Sequence, residues 1–244
     1  MICGKIGEYI CKQCETKLKQ YEINKYEIDK KNKDKKMFIY KYENELRKLL
    51  LDYKFNDKAY LYRMFANEIV KNEKICKFIK SYDIIIPVPV HWKRKLERGY
   101  NQTELIIKEI SKLLKVDFSK NTLIKEKNIK PLSKMGAKDR KKNIKGVFSI
   151  KNNQRIFNKK VLLFDDIYTT GSTFKECEKI LKEAGAKEVG MLSLARDTYT
   201  NKQKKGKKYG WFSWKHIGLC EIRLYWLCRN DKWRMGKRKN LLLE

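Results

Sequence analysis

Residues 161–173, Val-Leu-Leu-Phe-Asp-Asp-Ile-Tyr-Thr-Thr-Gly-Ser-Thr, restrict the fold of this 244-residue chain more than any other stretch. The apolar run 161–164 offers no polar face to solvent, so a strand there must be covered on both sides. Such strands belong to parallel sheets with helices packed on either face. The run delivers two carboxylates, Asp165 and Asp166, at its end, and the turn Thr169-Thr170-Gly171-Ser172-Thr173 follows. Phe174, Cys177, Ile180, Leu181 and Ala184 then recur at helical spacing, and Gly185 is placed to stop the helix. The positive end of that helix and the N–H groups of its turn favour a phosphate. Gly171 lets the backbone come close, and the hydroxyls add donors. The two acids are acceptors for sugar hydroxyls or a hydrated Mg²⁺. Neighbours on a strand point to opposite faces, so this pair cannot flank one carbon as glycosidase carboxylates do.

A second stretch repeats the layout. Residues 82–90, Tyr-Asp-Ile-Ile-Ile-Pro-Val-Pro-Val, read as another buried strand, halted by Pro87 and Pro89. A basic loop follows, His91-Trp92-Lys93-Arg94-Lys95, and then Arg98-Gly99-Tyr100-Asn101-Gln102. Asn101 and Glu104 are spaced to cap a helix with apolar positions Leu105, Ile107, Ile110, Leu113 and Leu114. Upstream, 38–54 predicts a strand or short helix leading into a helix. Residues 58–81 predict one helical stretch, with Leu61, Met64, Phe65, Ile69, Ile75 and Phe78 as its apolar positions. Leu123-Ile124 and residues 146–150 predict a hairpin around a long mobile loop, and 189–195 a last buried strand. Strands alternating with helices make an α/β fold with a mostly parallel sheet. Ligands in such sheets sit at the carboxyl ends of strands, where both anion-binding turns fall.

The net charge is +30, from 59 lysines and arginines against 29 acids. It permits a polyanionic partner without demanding one, because lysine outnumbers arginine about fourfold and arginine reads phosphates and bases better. No apolar run approaches the ~18 residues of a membrane span, and the amino-terminal segment lacks a signal-peptide apolar region, so no membrane insertion and a cytoplasmic location are expected. Seven cysteines, an odd number in a reducing compartment, argue against a disulfide framework. Cys3, Cys11 and Cys14 instead form one clipped and one complete Cys-x-x-Cys knuckle, a structural Zn²⁺ pattern short of one ligand. Either the missing cysteine precedes Met1 or Cys76 or His91 supplies the fourth ligand; unliganded thiols are the alternative. The chain therefore divides into a truncated zinc-ribbon-like segment (1–24), a charged, solvated linker (25–37), the α/β domain (38–196) and a basic tail (197–244). The tail carries Trp211, Trp214, Trp226 and Trp233 among basic residues, which suits single-strand stacking; an out-of-frame extension without a role is the alternative. It is expected to be poorly ordered.

Acidic-acidic-x-x-Thr-Thr-Gly-x-Thr after an apolar strand resembles the phosphoribosyl pyrophosphate (PRPP) motif of type I phosphoribosyltransferases. By that resemblance Thr169, Thr170, Gly171, Ser172 and Thr173 would hold the 5-phosphate. Asp165 and Asp166 would take the ribose 2- and 3-hydroxyls, directly or near Mg²⁺. Amino-terminal cysteine knuckles, Pro-Val-Pro-Val-His, Arg-Gly-Tyr-Asn-Gln, Arg140-x-x-Asn143-x-x-Gly146-x-Phe148 and the PRPP motif, in that order, resemble the ComF family over about residues 1–196. The fold this implies is a type I phosphoribosyltransferase-like parallel sheet flanked by helices, with a small amino-terminal zinc-ribbon-like segment. In such proteins the loop at 88–101 would grip pyrophosphate, here through Arg94 and Arg98, and the hairpin loop would close with Arg140 as charge donor. The chemistry would be loss of Mg²⁺-pyrophosphate from the anomeric carbon through a cationic transition state, with Asp165, Asp166 and Arg140 as catalytic candidates.

Three functions follow from the resemblance. One is a phosphoribosyltransferase using PRPP and Mg²⁺ on an unidentified acceptor. Another is a non-catalytic competence factor that binds single-stranded DNA and a helicase-like partner in DNA uptake. The third is a regulator that senses PRPP or a nucleotide. Leu132 departs from the family, many members of which carry glutamine after the proline matching Pro131. His91 reads as structural and Cys177 as core.

Overall fold

The computed structural model describes residues 10–28, 35–56, 58–127 and 143–197. Helices α1 (Lys12–Lys19), α2 (Asn44–Phe55), α3 (Leu61–Lys71), α4 (Glu73–Lys80), α5 (Trp92–Arg98), α6 (Gln102–Leu114) and α7 (Ser172–Glu183) surround two sheets. The larger sheet joins β1 (Glu22–Ile28), β2 (Lys35–Lys41), β3 (Ile84–Pro87), β4 (Asp117–Phe118), β7 (Lys160–Tyr168) and β8 (Glu188–Arg196) in the order β1-β2-β8-β7-β3-β4. All its pairings are parallel except β1 with β2. The smaller sheet is the antiparallel hairpin of β5 (Leu123–Lys125) and β6 (Phe148–Ile150). Among the described residues no helix is long and apolar enough to cross a membrane.

Strand alternation divides the core into two halves. Ile85, Leu162, Phe164, Leu192 and Leu194 face one side, where α2, α3, α4 and α6 cover them. Ile84, Ile86, Val161, Leu163, Val189 and Met191 face the other, under Phe174, Cys177 and Leu181 of α7 and Leu123 and Phe148 of the hairpin. Burial on both faces is what the unbroken apolar runs demand. Gly190 lies where the Tyr82 ring crosses β8, and any side chain there would meet that ring.

Four expectations are corrected. Residues 25–28 and 35–37, expected as part of a solvated linker, are strand: β1 and β2 pair antiparallel, and β2 adds in parallel to β8 from Lys36↔Met191 to Lys41↔Arg196. Edge position and ion pairing reconcile the charge with the strand, since Lys35 meets Glu188 (3.0 Å) and Arg196 meets Glu27. The single helix expected over 58–81 breaks at Asn72, whose extended backbone and side-chain oxygen cap α4 through the Lys74 and Ile75 amides (3.1 and 3.3 Å). The basic loop after β3 is the helix α5, capped by His91 and ended by Gly99 in the left-handed region (φ 77°). Asn101 does cap α6 through the Thr103 amide, but Glu104 turns away to Lys95 (3.0 Å) and Lys120 (3.7 Å), so there is no capping box.

Candidate functional site

Strand β7 outruns its neighbour. Its pairing with β3 stops at Pro87↔Phe164, whereas its pairing with β8 continues through Ile167↔Ala195 to Tyr168↔Arg196. Asp165 and Asp166 therefore lie within the strand rather than after it, on a stretch that β3 no longer flanks. The open side is a crevice at the carboxyl ends of the strands. Asp165, Ile167, Tyr168, Thr169, Thr170, Gly171, Ser172, Thr173, Phe174 and Met191 line a small cleft there.

One end of this cleft is set by Gly171. It adopts φ 73° as the residue before α7, a left-handed conformation that other residues enter at a cost. A side chain at Gly171 would also strike the Tyr168 ring, which packs beneath the turn and meets Phe38 edge-on (4.9 Å). Because glycine supplies no capping side chain, the first-turn N–H groups of α7 face the cleft without one. The Thr170 and Ser172 hydroxyls lie 3.0 Å apart at the same spot. Donors and helix dipole together suit an anion.

The two acids point to opposite faces, as alternation requires. Asp166 follows Leu162 and Phe164 to the α2 side, where Lys54 meets its Oδ2 at 2.8 Å. Asp165 follows Val161 and Leu163 to the α7 side and accepts the Asp166 amide at 2.9 Å. Burial, and then the charge of Asp166, push the Asp165 carboxyl up to about 7; Lys54, the Asp166 amide and Lys125 oppose the rise. Lys125, at the end of β5, is pushed down to about 8 by burial and by Arg94. Burial also lowers Arg98, against the pull of Asp166.

Arg94 and Arg98 stand four residues apart on the half-buried face of α5, while Trp92, Lys93, Lys95 and Glu97 are exposed. Arg98 lies over the Phe55 ring at 4.7 Å. The helix is tied to the hairpin by His91, whose Nδ1 accepts the Lys93 amide and whose Nε2 donates to the Glu126 carbonyl (3.1 Å). Glu176 of α7 accepts the Gly146 amide (2.8 Å), so the residue that leads into β6 is fastened to α7 as well.

Asp165 and residues 169–173 line this cleft, Asp166 lies on Lys54, and Arg94 and Arg98 share the half-buried face of α5, with Arg98 close enough to feel the charge of Asp166. Arg140, Pro131 and Leu132 lie outside the described residues, as do Cys3 and the 198–244 segment. Cys11 precedes α1 and Cys14 is buried within it. His91 has both ring nitrogens engaged by the protein, and the Cys76 thiol donates to the Val70 carbonyl (3.2 Å). Sequence reasoning missed Lys54, Lys125 and Tyr168. Only the last carried a local signal, its place between the acids and the glycine turn.

The acids do not form a metal cage of their own. One is held by Lys54, they face opposite sides, and among the described residues no group of three or more His, Cys, Asp or Glu is arranged to hold an ion.

Comparison with known proteins agrees with this layout. The family described as phosphoribosyl transferase domain matches residues 108–223. The chain is 31% identical over 198 residues to competence protein F of Haemophilus influenzae, spanning 80% of this chain and 82% of that one. It is 32% identical over 158 residues to competence protein ComFC of Streptococcus pneumoniae, spanning 65% and 66%. DNA utilization protein YhgH of Shigella flexneri is 29% identical over 114 residues, spanning 47% of this chain and 49% of YhgH, about half of each.

Proposed function

The chain belongs to the ComF family of competence proteins with a phosphoribosyltransferase-type domain, and from that premise we propose that it binds PRPP or a related phosphoribosyl ligand in the service of DNA uptake. The observation that carries this reading is the extension of β7 past β3. It opens one crevice onto an uncapped helix amino terminus and a carboxylate at once.

The residues divide the ligand among them. The amides at the start of α7, with Thr169, Thr170, Ser172 and Thr173, take the 5-phosphate. Asp165 and Asp166 accept from the ribose hydroxyls. Arg94, Arg98 and Lys125 supply positive charge for the pyrophosphate, and Arg140 joins them from the hairpin loop. Mg²⁺, when it arrives on the pyrophosphate, supplies further charge to the leaving group. Transfer of the phosphoribosyl group to an acceptor is the reaction this arrangement suits; binding without turnover, as in a sensor, uses the same contacts. Cys3, Cys11 and Cys14 hold a structural Zn²⁺ in this reading.

Hydrogen exchange tests the site directly. PRPP with Mg²⁺ should protect the amides of 171–174 and leave those of α3 unchanged. Protection absent from the 171–174 segment would exclude this turn as the phosphate site.

A second reading, single-stranded DNA binding, is supported by one feature. Trp92 is 59% exposed, with the Lys93 ammonium 5.5 Å from its ring centroid and Lys95 close by in sequence. Electrostatic binding of this kind should weaken steeply with salt, and a Trp92→Ala variant should lose affinity at every salt concentration. A flat salt response would count against it.

A further inference from the structure

The last turn of α2 reaches both halves of the crevice. Tyr53 donates its hydroxyl to the Gln102 carbonyl (2.8 Å), and Tyr100 donates to the Tyr53 carbonyl. Phe55 carries the Arg98 guanidinium on its ring. Between these two anchors, Lys54 turns toward β7 and places its ammonium 2.8 Å from Asp166 Oδ2. The two side chains are only 16% and 13% exposed, so the pair is shielded from bulk water and salt.

We propose that Lys54 is the resident cation of the acidic pair, standing at Asp166 in place of a protein-held divalent metal and fixing that carboxylate for a sugar hydroxyl. Three features support it. A metal ion at Asp166 would have to displace an ammonium whose neighbours on α2 are anchored on both sides. It would also have to approach the positive charge of Arg98, which already feels Asp166. Finally, Mg²⁺ sheds water reluctantly and needs near-octahedral oxygen ligands, whereas among the described residues no group of three or more His, Cys, Asp or Glu is arranged to hold an ion. One consequence is that Asp166 keeps a partner charge 2.8 Å away without metal. Another is that any Mg²⁺ enters on the phosphates of the ligand. The sugar-hydroxyl role rests on the phosphoribosyl reading; the exclusion of metal does not.

The test uses Mn²⁺ alone, a carboxylate-seeking ion that the thiols do not favour. It is titrated into the full-length wild type, Asp166→Asn, Lys54→Met, Lys54→Arg and the double variant Lys54→Met/Asp166→Asn, with free Mn²⁺ read by electron paramagnetic resonance. The wild type and Lys54→Arg should show no site at the acidic pair. Lys54→Met should bind Mn²⁺ about tenfold or more tighter than the wild type, and the added Asp166→Asn should abolish the gain. Mn²⁺ binding by the wild type that Asp166→Asn removes would overturn the proposal. So would a folded Lys54→Met, matched to the wild type by circular dichroism, that gains none; should Met fail to fold, Lys54→Gln takes its place under the same criteria. A parallel PRPP titration that failed in the wild type would overturn the ligand reading and leave the metal result standing.

Discussion

Asp165 sets function against stability, and the two can be pulled apart. Its carboxyl has an ordinary value of 3.8 and is raised to about 7 in the folded protein, chiefly by burial and by the charge of Asp166. A folded state that binds the proton more tightly than the unfolded chain loses stability as pH climbs between those two values, by ~1.4 kcal/mol per pH unit. Below about 4 the group costs nothing, and above about 7 the cost is complete at ~4 kcal/mol. Water reaching the cleft screens part of that charge, and a working figure is about 2 kcal/mol. Asp165→Asn removes the charge and keeps an oxygen for the Asp166 amide. The variant should therefore be more stable than the wild type at pH 8, by about 2 kcal/mol or roughly 4–8 °C in Tm, with the gap closing as pH falls toward 4. Urea unfolding at pH 5, 6, 7 and 8 measures it. Equal or lower stability of the variant at pH 8 would refute the account of Asp165 as a strained, buried acid. The same variant should bind PRPP more weakly, and wild-type affinity should rise with pH through about 7 as the acceptor ionises.

The remaining predictions address the other parts of the site. Gly171→Ala should cost about 1–3 kcal/mol, from the left-handed backbone and the collision with Tyr168, and should abolish phosphate binding; a Tm within a degree of wild type would refute the strain. Arg94→Ala and Arg98→Ala should each weaken PRPP by about tenfold or more while leaving ribose 5-phosphate within about twofold, because only the former carries pyrophosphate; equal losses for both ligands would remove these arginines from the pyrophosphate end. About one Zn²⁺ per chain should co-purify if the amino-terminal cysteines hold a structural ion, and Cys14→Ser should lower the zinc content. Zinc content near zero in protein purified without chelator would refute it.

How much of this was legible in the sequence depended on whether local pattern or tertiary contact made the decision. The parallel core was legible because the central stretches of β3, β7 and β8 are buried on both faces and are almost wholly apolar. The opposite aim of Asp165 and Asp166 followed from alternation alone. The β1–β2 hairpin was not legible, since its lysines read as solvation and only pairing with β8, Glu188 and Arg196 makes them strand. Asn72 hid a helix boundary inside a periodic run because capping there outcompetes propagation. Lys54 and Lys125 carry no motif at all. They reach the acids from α2 and β5, which lie far from 165–166 in sequence, so the charge balance of the site is a property of the fold.

The central claim, a phosphoribosyl site at the end of β7, is tested most directly by calorimetric titration of PRPP with Mg²⁺ into the full-length protein and into Asp165→Asn/Asp166→Asn. Micromolar binding by the wild type that is lost in a folded double variant is the predicted result. No heat of binding to the wild type, or unchanged affinity in the double variant, would contradict it.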